Sequence, residues 1–426
     1  MRIASTILVQ EDLTWVDGQC SETRNTPGDL ADVLPVGEKW FEVTREGVIL
    51  LDGPVHDRMG FPAKHPANTR GLDAFLVPAR AAGWNVSRPS PWMTFYAPGR
   101  PSIHIGLLGW LGTTNHALYV ADDPGAMTYR MRRYHETLGS AFHGTPGISG
   151  TGLLRDHYRG KSPRWVGTFQ GIAAADVETE ARYVWKSPTH LPPLRAFSHT
   201  YDANLQYLGA ANVTEVALDD LRHTGRREFT AKAAGYWKII VPVWNDTRMP
   251  HPANAPVGQE KWVTTPTMQL LEQLADQGDT VMPEVLDSWT CDRTARVFRA
   301  WAEKISKGLD AVTNEPMSAD QDALTVAIKR TYRETIGMSI RPGGRIYRPD
   351  WHHAVVGMAR CNLFRRLRAA ALAGHFPEEI NVDAVTWGSD NPDPIAAAPA
   401  ALAGRFRPGP GGWKVQETVQ HAVVGA

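Results

Sequence analysis

Residues 196–208 read A-F-S-H-T-Y-D-A-N-L-Q-Y-L, an apolar run that ends in a carboxylate, Asp202, with Tyr207 close behind it. An aspartate that closes a strand and turns into a cleft is a ligand for a hard divalent cation such as Mg²⁺, which takes oxygen donors. Residues 379–387, E-I-N-V-D-A-V-T-W, are the only other stretch that sets an aspartate, Asp383, in a β-branched apolar run of that kind. Two carboxylates drawn from distant strands are the minimum for two-metal phosphoryl transfer. Read singly, each is equally a strand end or a turn residue, because Asp bonds its own neighbouring backbone.

The 426 residues leave room for two or three domains, and 42% hydrophobic content with 15 Trp places the chain among folded globular proteins. No apolar run approaches the ~20 residues of a spanning helix. The opening M-R-I-A-S-T-I-L-V-Q-E-D reaches its acids too early for a secretory signal, so the expectation is a cytoplasmic protein without a membrane partner. Cys20, Cys291 and Cys361 are too scattered for a disulfide framework or a zinc site and are expected as buried thiols. Lysines and arginines number 45 and acids 45, so any nucleic-acid contact must rest on local clusters. Three exist: Arg293, Arg296 and Arg299; Lys329, Arg330 and Arg333; Arg365, Arg366 and Arg368. A charge run is more often a solvated helix face.

In chain order, F-E-V-T-R-E-G-V-I-L-L-D-G predicts two strands around a turn at Glu46 and Gly47, and S-I-H-I-G-L-L-G-W-L a buried strand with His104 in the core. D-D-P predicts a helix over 122–139, with a cap and a first-turn proline. The stretch T-P-G-I-S-G-T-G lacks the Lys and Ser/Thr of a phosphate loop and is set aside as a nucleotide site. Residues 235–244 predict a strand, and Pro266 opens a helix. Helices over 294–309 and 319–337 form a hairpin, and on the second of them Lys329 and Arg333 share a face suited to a triphosphate. A third helix, about 351–373, feeds the Asp383 strand. Residues 391–412 are Ala/Pro/Gly-rich and read as a linker before G-W-K-V-Q-E-T-V.

This order of parts resembles a family B DNA polymerase, most closely the compact protein-primed phage type, from about residue 181 to the end. The family's first palm motif is D-x-x-S-L-Y-P, and residues 202–208 keep the aspartate and the tyrosine, with Leu205, Gln206 and Leu208 as departures. The fingers motif is K-x-x-x-N-S-x-Y-G, and residues 329–337 keep Lys329 and Gly337. The third motif is D-T-D-S; in the register that keeps the alternation of the strand, Asp383 takes the second aspartate and Asn381 stands at the first. The resemblance implies that Asp202 and Asp383 bind the metals, Mg²⁺ or Mn²⁺. It also implies that Tyr207 floors the sugar pocket, that Lys329 with Arg333 holds the incoming nucleotide, and that Lys414 touches the primer.

The expectation is therefore an α/β (α+β) protein with a polymerase-like antiparallel palm sheet, small helical fingers and an N-terminal α/β domain resembling a degenerate exonuclease domain. Residues 1–165 form the N-terminal domain, which lacks a D-x-E strand for proofreading, and 166–426 the palm, with the fingers inserted at about 265–340. The implied activity is template-directed DNA synthesis on primer-template DNA from deoxynucleoside triphosphates. DNA contacts are expected from Arg293, Arg296 and Lys414, together with an accessory replication protein. The alternative is a catalytically weak, polymerase-derived DNA-binding replication factor.

Overall fold

A computed structural model of the chain describes residues 6–421 except 11–12, 17–18, 23–26, 43–45, 63, 67–69, 88–89, 112–117, 119–122, 158–179, 181–182, 189–194, 343–345 and 408. The chain divides into two units, one of Met1–Asp156 with Lys307–Thr335, the other of His157–Ser306 with Ile336–Ala426. The expected border near residue 165 lies outside the described residues. Within the expected insertion at 265–340, Lys307–Thr335 groups with the first unit and the remainder with the second.

In the first unit the buried run Glu46–Leu51 pairs in parallel with Thr6–Val9 on one side and Ser102–Leu107 on the other, at the centre of a seven-stranded mixed sheet. Val48, Ile49, Leu50 and Leu51 are all fully buried, as expected of a parallel strand covered on both faces. Among the described residues of 41–52 there is one strand, and Glu46 and Gly47, expected as a turn, open it. The chain before them is the helix Leu30–Phe41, which the sequence reading did not include and which Asp29 and Asp32 start with a reciprocal capping box. The predicted helix at 122–139 is Pro124–Leu138, capped by Asp123 and closed by Gly139 in the left-handed region. His104 is a core histidine, bonded to Thr94 Oγ1 at 3.1 Å and stacked on His143. The glycine-rich stretch lies in the helix Pro146–His157, where Gly150 serves packing. A Cβ on Gly150 would lie 2.0 Å from Thr335 Oγ1 on the helix Ala319–Met338.

The second unit has a five-stranded antiparallel sheet in the order Trp413–Gln420, Phe197–Ala203, Ala384–Ser389, Glu379–Asn381, Val184–Lys186. Residues 379–387, expected as one strand, are a hairpin that turns at Val382 and Asp383. The 24-residue helix Pro349–Leu372 contributes Leu363, Phe364 and Leu367 to the same core as Tyr201, Val385, Trp387 and Trp413. A four-stranded sheet built on Ala234–Ile240, with Glu260–Thr264 and Val285–Cys291 on its flanks, carries the helix Thr265–Asp276. Residues 285–291, placed in the helical fingers by the sequence, are therefore strand. The 391–412 segment is packed rather than a free linker, and its Leu402 is fully buried.

Two buried polar pairs hold this unit together. The Glu180 carboxylate meets the Arg360 guanidinium at 2.6 Å and accepts from the hydroxyls of Thr264 and Thr267, each at 2.8 Å. Burial by itself pushes the Glu180 carboxyl up, but Arg360 and the two hydroxyls outweigh it and the net shift is downward. The Tyr236 hydroxyl bonds His353 Nδ1 at 2.8 Å.

Two stability effects are expected. Arg360→Ala strands a buried carboxylate and should cost about 3–5 kcal/mol in denaturant unfolding. Burial, then the charge of His352, holds His353 down at about 4. The imidazole is therefore folded neutral. Its contribution is complete above its ordinary value of 6.5 and is lost as pH falls from there toward 4. Unfolding midpoints should drop across that window in the wild type and less steeply in His353→Gln.

Candidate active site

The Asp202 end of the Phe197–Ala203 strand is held from both edges. Asp202 stands opposite Ala384 in one ladder and opposite Lys414 in the other. Alternation sends Tyr201 and Ala203 into the core and leaves Asp202 on the open face with Thr200, whose hydroxyl meets that of Thr386 at 2.9 Å. Asp383 lies one residue beyond Ala384, in the hairpin turn, and its carbonyl accepts from Ala203 N–H at 2.9 Å. Asp202 thus stands near the end of its strand and Asp383 in the turn that opens the neighbouring one, at the same end of the sheet.

Both chain reversals at this end adopt an unusual backbone. Val382 has φ +62° and Leu205 φ +50°, in the left-handed region that side-chain-bearing residues adopt at a cost of about 1–2 kcal/mol each. A β-branched residue there is a true outlier, and such outliers concentrate at sites that must hold a fixed geometry. Val382 is tied down by its N–H, which donates to the Tyr183 carbonyl at 2.8 Å. After Leu205 the chain enters the helix Gln206–Val213, which sets the half-buried Tyr207 in its first turn.

Lys414 is drawn to this end by the closing strand, and its Nζ lies 2.6 Å from Asp202 Oδ2. That strand was not read from the sequence. The segment before it is pinned by Asn204, whose N–H donates to the Gly412 carbonyl at 2.9 Å and whose Nδ2 donates to the Arg407 carbonyl at 2.8 Å. Two carboxylates lie at this end of the sheet, the oxygen chemistry that a hard cation takes, and Asp202 is paired with the Lys414 ammonium group. Among the described residues no group of three or more His, Cys, Asp or Glu converges.

The remaining expected residues lie elsewhere. Lys329 and Arg333 project from one exposed face of the Ala319–Met338 helix, in the first unit. Arg293 and Arg296, expected as DNA contacts, are surface groups matched by carboxylates, Asp219 at 2.9 Å and Glu215 at 3.7 Å. Cys291 and Cys361 are buried free thiols, as expected, whereas the side chain of Cys20 lies outside the described set. Among the described residues no helix is long and apolar enough to cross a membrane.

Comparison of the whole fold with solved structures places it beside DNA polymerases. The chain is similar to Phi29 DNA polymerase complexed with primer-template DNA in the post-translocation binary complex, with a TM-score of 0.50 and 9% identity, over 96% of this chain and 81% of that one. It is also similar to the ternary complex of Phi29 DNA polymerase with primer-template DNA and incoming nucleotide substrates, at a TM-score of 0.45 and 9% identity, over 99% and 85%. No protein-family model and no curated protein matches the chain. The fold is polymerase-like.

Gly412 tests the clamp beside Asp202. A Cβ there would lie 2.0 Å from the Arg407 carbonyl oxygen, so the backbone must move. Gly412→Ala should cost about 1–3 kcal/mol, the usual price of overpacking, and should remove hydrogen-exchange protection at the Asn204 amide before the rest of the sheet is affected.

Proposed function

We propose that the chain is a template-directed, DNA polymerase-like nucleotidyltransferase of phage or mobile-element replication, acting on primer-template DNA and deoxynucleoside triphosphates. One observation carries the reading: in a polymerase-like fold, Asp202 near the end of one strand and Asp383 in the turn that opens its neighbour lie at one end of the sheet, linked by the bond from Ala203 N–H to the Asp383 carbonyl. In the reaction the primer 3′-hydroxyl attacks the α-phosphorus, a new P–O bond forms, the bond to the bridging oxygen of the β-phosphate breaks, and pyrophosphate leaves. Asp202 and Asp383 would hold Mg²⁺ or Mn²⁺, which would acidify the hydroxyl and neutralise charge on the phosphates.

The protein's own part is positional. Asp202 and Asp383 fix oxygen donors at one sheet end, and Tyr207, on the helix that follows, sets the sugar pocket. Lys329 and Arg333 present two cationic ends for a triphosphate. Lys414, paired here with Asp202, would serve the primer phosphate where that pairing is given up. Arg293 and Arg296 add to DNA contact only by exchanging their carboxylate partners for phosphate.

A second reading, a catalytically weak DNA-binding replication factor, is favoured by Asn381 at a position where the polymerase motif has aspartate, and by the Lys414–Asp202 ion pair. Primer extension with labelled primer-template separates the two. On the first reading, Asp202→Asn and Asp383→Asn each lower extension by on the order of 100-fold or more while duplex binding persists. Lys329→Ala lowers kcat/KM for the nucleotide by about 10- to 100-fold, the equivalent of one charge-assisted bond. Tyr207→Ala admits ribonucleotides. A wild type that binds duplex and extends nothing with either metal decides for the second reading.

A further inference from the structure

Three arginines near the Asp202 end of the sheet have no carboxylate partner among the described residues. Arg366, on the Pro349–Leu372 helix, lays its guanidinium over the Trp413 ring at 5.5 Å from the centroid. Its Nη2 lies close against Gly411, at 3.3 Å from where a Cβ would stand, and Gly411 has φ +79°, so the loop leaves room for the guanidinium where a side chain would crowd it. Arg405 and Arg407 are exposed on the segment that runs into Gly411 and Gly412. Their backbone is fixed: the Arg405 carbonyl accepts from Trp413 N–H at 2.9 Å, and the Arg407 carbonyl accepts from Asn204 Nδ2. Asn204 follows Asp202 by two positions, so this cationic group is anchored beside that carboxylate.

The contrast with other arginines of the same unit is plain. Arg195 faces Asp390, Arg226 faces Glu284 and Arg348 faces Asp350. At the 405–412 segment, Arg366 instead lies within the field of another cation, Arg405. Burial first, and the charge of Arg405 second, hold the Arg366 guanidinium below its usual value. Like charges gathered on a partly desolvated surface are unfavourable until an anion meets them. Planar guanidinium forks suit phosphate oxygens.

We infer that Arg366, Arg405 and Arg407 form an anchoring site for the phosphodiester backbone of a nucleic-acid strand whose end reaches the Asp202 carboxylate. The choice of a nucleic acid as the polyanion rests on the nucleotidyltransferase reading; the location of the site does not. A strand held here is fixed by phosphates alone, without base contacts, so the anchoring is indifferent to sequence.

The test is fluorescence anisotropy of a labelled primer-template duplex with the full chain, in EDTA and without nucleotide, over a series of salt concentrations. Binding that neutralises phosphates gives a log–log slope of about −0.9 per phosphate. The double variant Arg405→Gln/Arg407→Gln leaves the packing on Trp413 untouched and should flatten the slope by about 1.8. Adding Arg366→Gln should flatten it by about 0.9 more. The carboxylate-matched pair Arg195→Gln/Arg226→Gln should leave it as it is. A double variant that keeps the wild-type slope overturns the inference, even if primer extension proceeds normally. Loss of nucleotide affinity with no change of slope also overturns it, because the arginines then serve the triphosphate. A flattened slope in a protein that never extends a primer upholds the anchoring site and rejects the polymerase reading; a wild type that binds no duplex rejects both.

Discussion

The Phe197–Ala203 strand has a hydrogen-bonded neighbour on each edge, and this double pairing is the constraint on which the candidate site depends. A strand paired once can slip by a residue and exchange its two faces; one paired twice must break both ladders to do so. Its register is further fixed by what lies beneath it. Tyr201 is fully buried against Val385 and Trp387, so any slip would bring Asp202 into that core. The direction of one carboxylate is thus enforced by burial of the residues beside it, and its pairing with Lys414 follows from that direction.

How far this was legible from the sequence depended on the range of the signals. Helices with local punctuation were readable. Asp123 and Pro124 mark one start and Pro266 another, and the amphipathic stretch before Asp383 is the helix Pro349–Leu372. Motif order put Asp202 and Asp383 on adjacent strands; in the fold Asp202 pairs with Ala384, and Asp383 lies in the turn just before it. The hairpin turn at Val382–Asp383 was not legible, because two-residue hairpin turns are ordinarily marked by Gly or Asn and here the left-handed position holds a β-branched residue. The Trp413–Gln420 strand was missed for a related reason: its second half is exposed and polar, so no period-2 pattern betrays it, and only its pairing with residues far back in the chain makes it a strand. A capping box at Asp29 was present for the missed helix Leu30–Phe41, but Pro35 inside it interrupts the helical pattern.

Charge was the least legible property. Clusters such as Arg293, Arg296 and Arg299 stood out in the sequence, yet each meets an acid in the fold, Arg299 within its own helix at Glu303. The unmatched arginines at 405 and 407 attracted no notice, since they are separated from Arg366 by some forty positions and were placed in a linker. Pairing of charges is a tertiary property, and a neutral total says nothing about where the mismatches lie.

The division of the chain also governs the order in which it is able to fold. The first unit takes in Lys307–Thr335, where Thr331 accepts or donates a bond to the buried Tyr134 hydroxyl at 2.8 Å and Thr335 closes over Gly150. During synthesis the N-terminal residues therefore wait, with that surface uncovered, until the ribosome has passed position 335. The Phe197–Ala203 strand waits longer still, for partners at the far end of the chain. Such a protein matures late and almost at once, and it has reason to depend on chaperones while its early half stands incomplete.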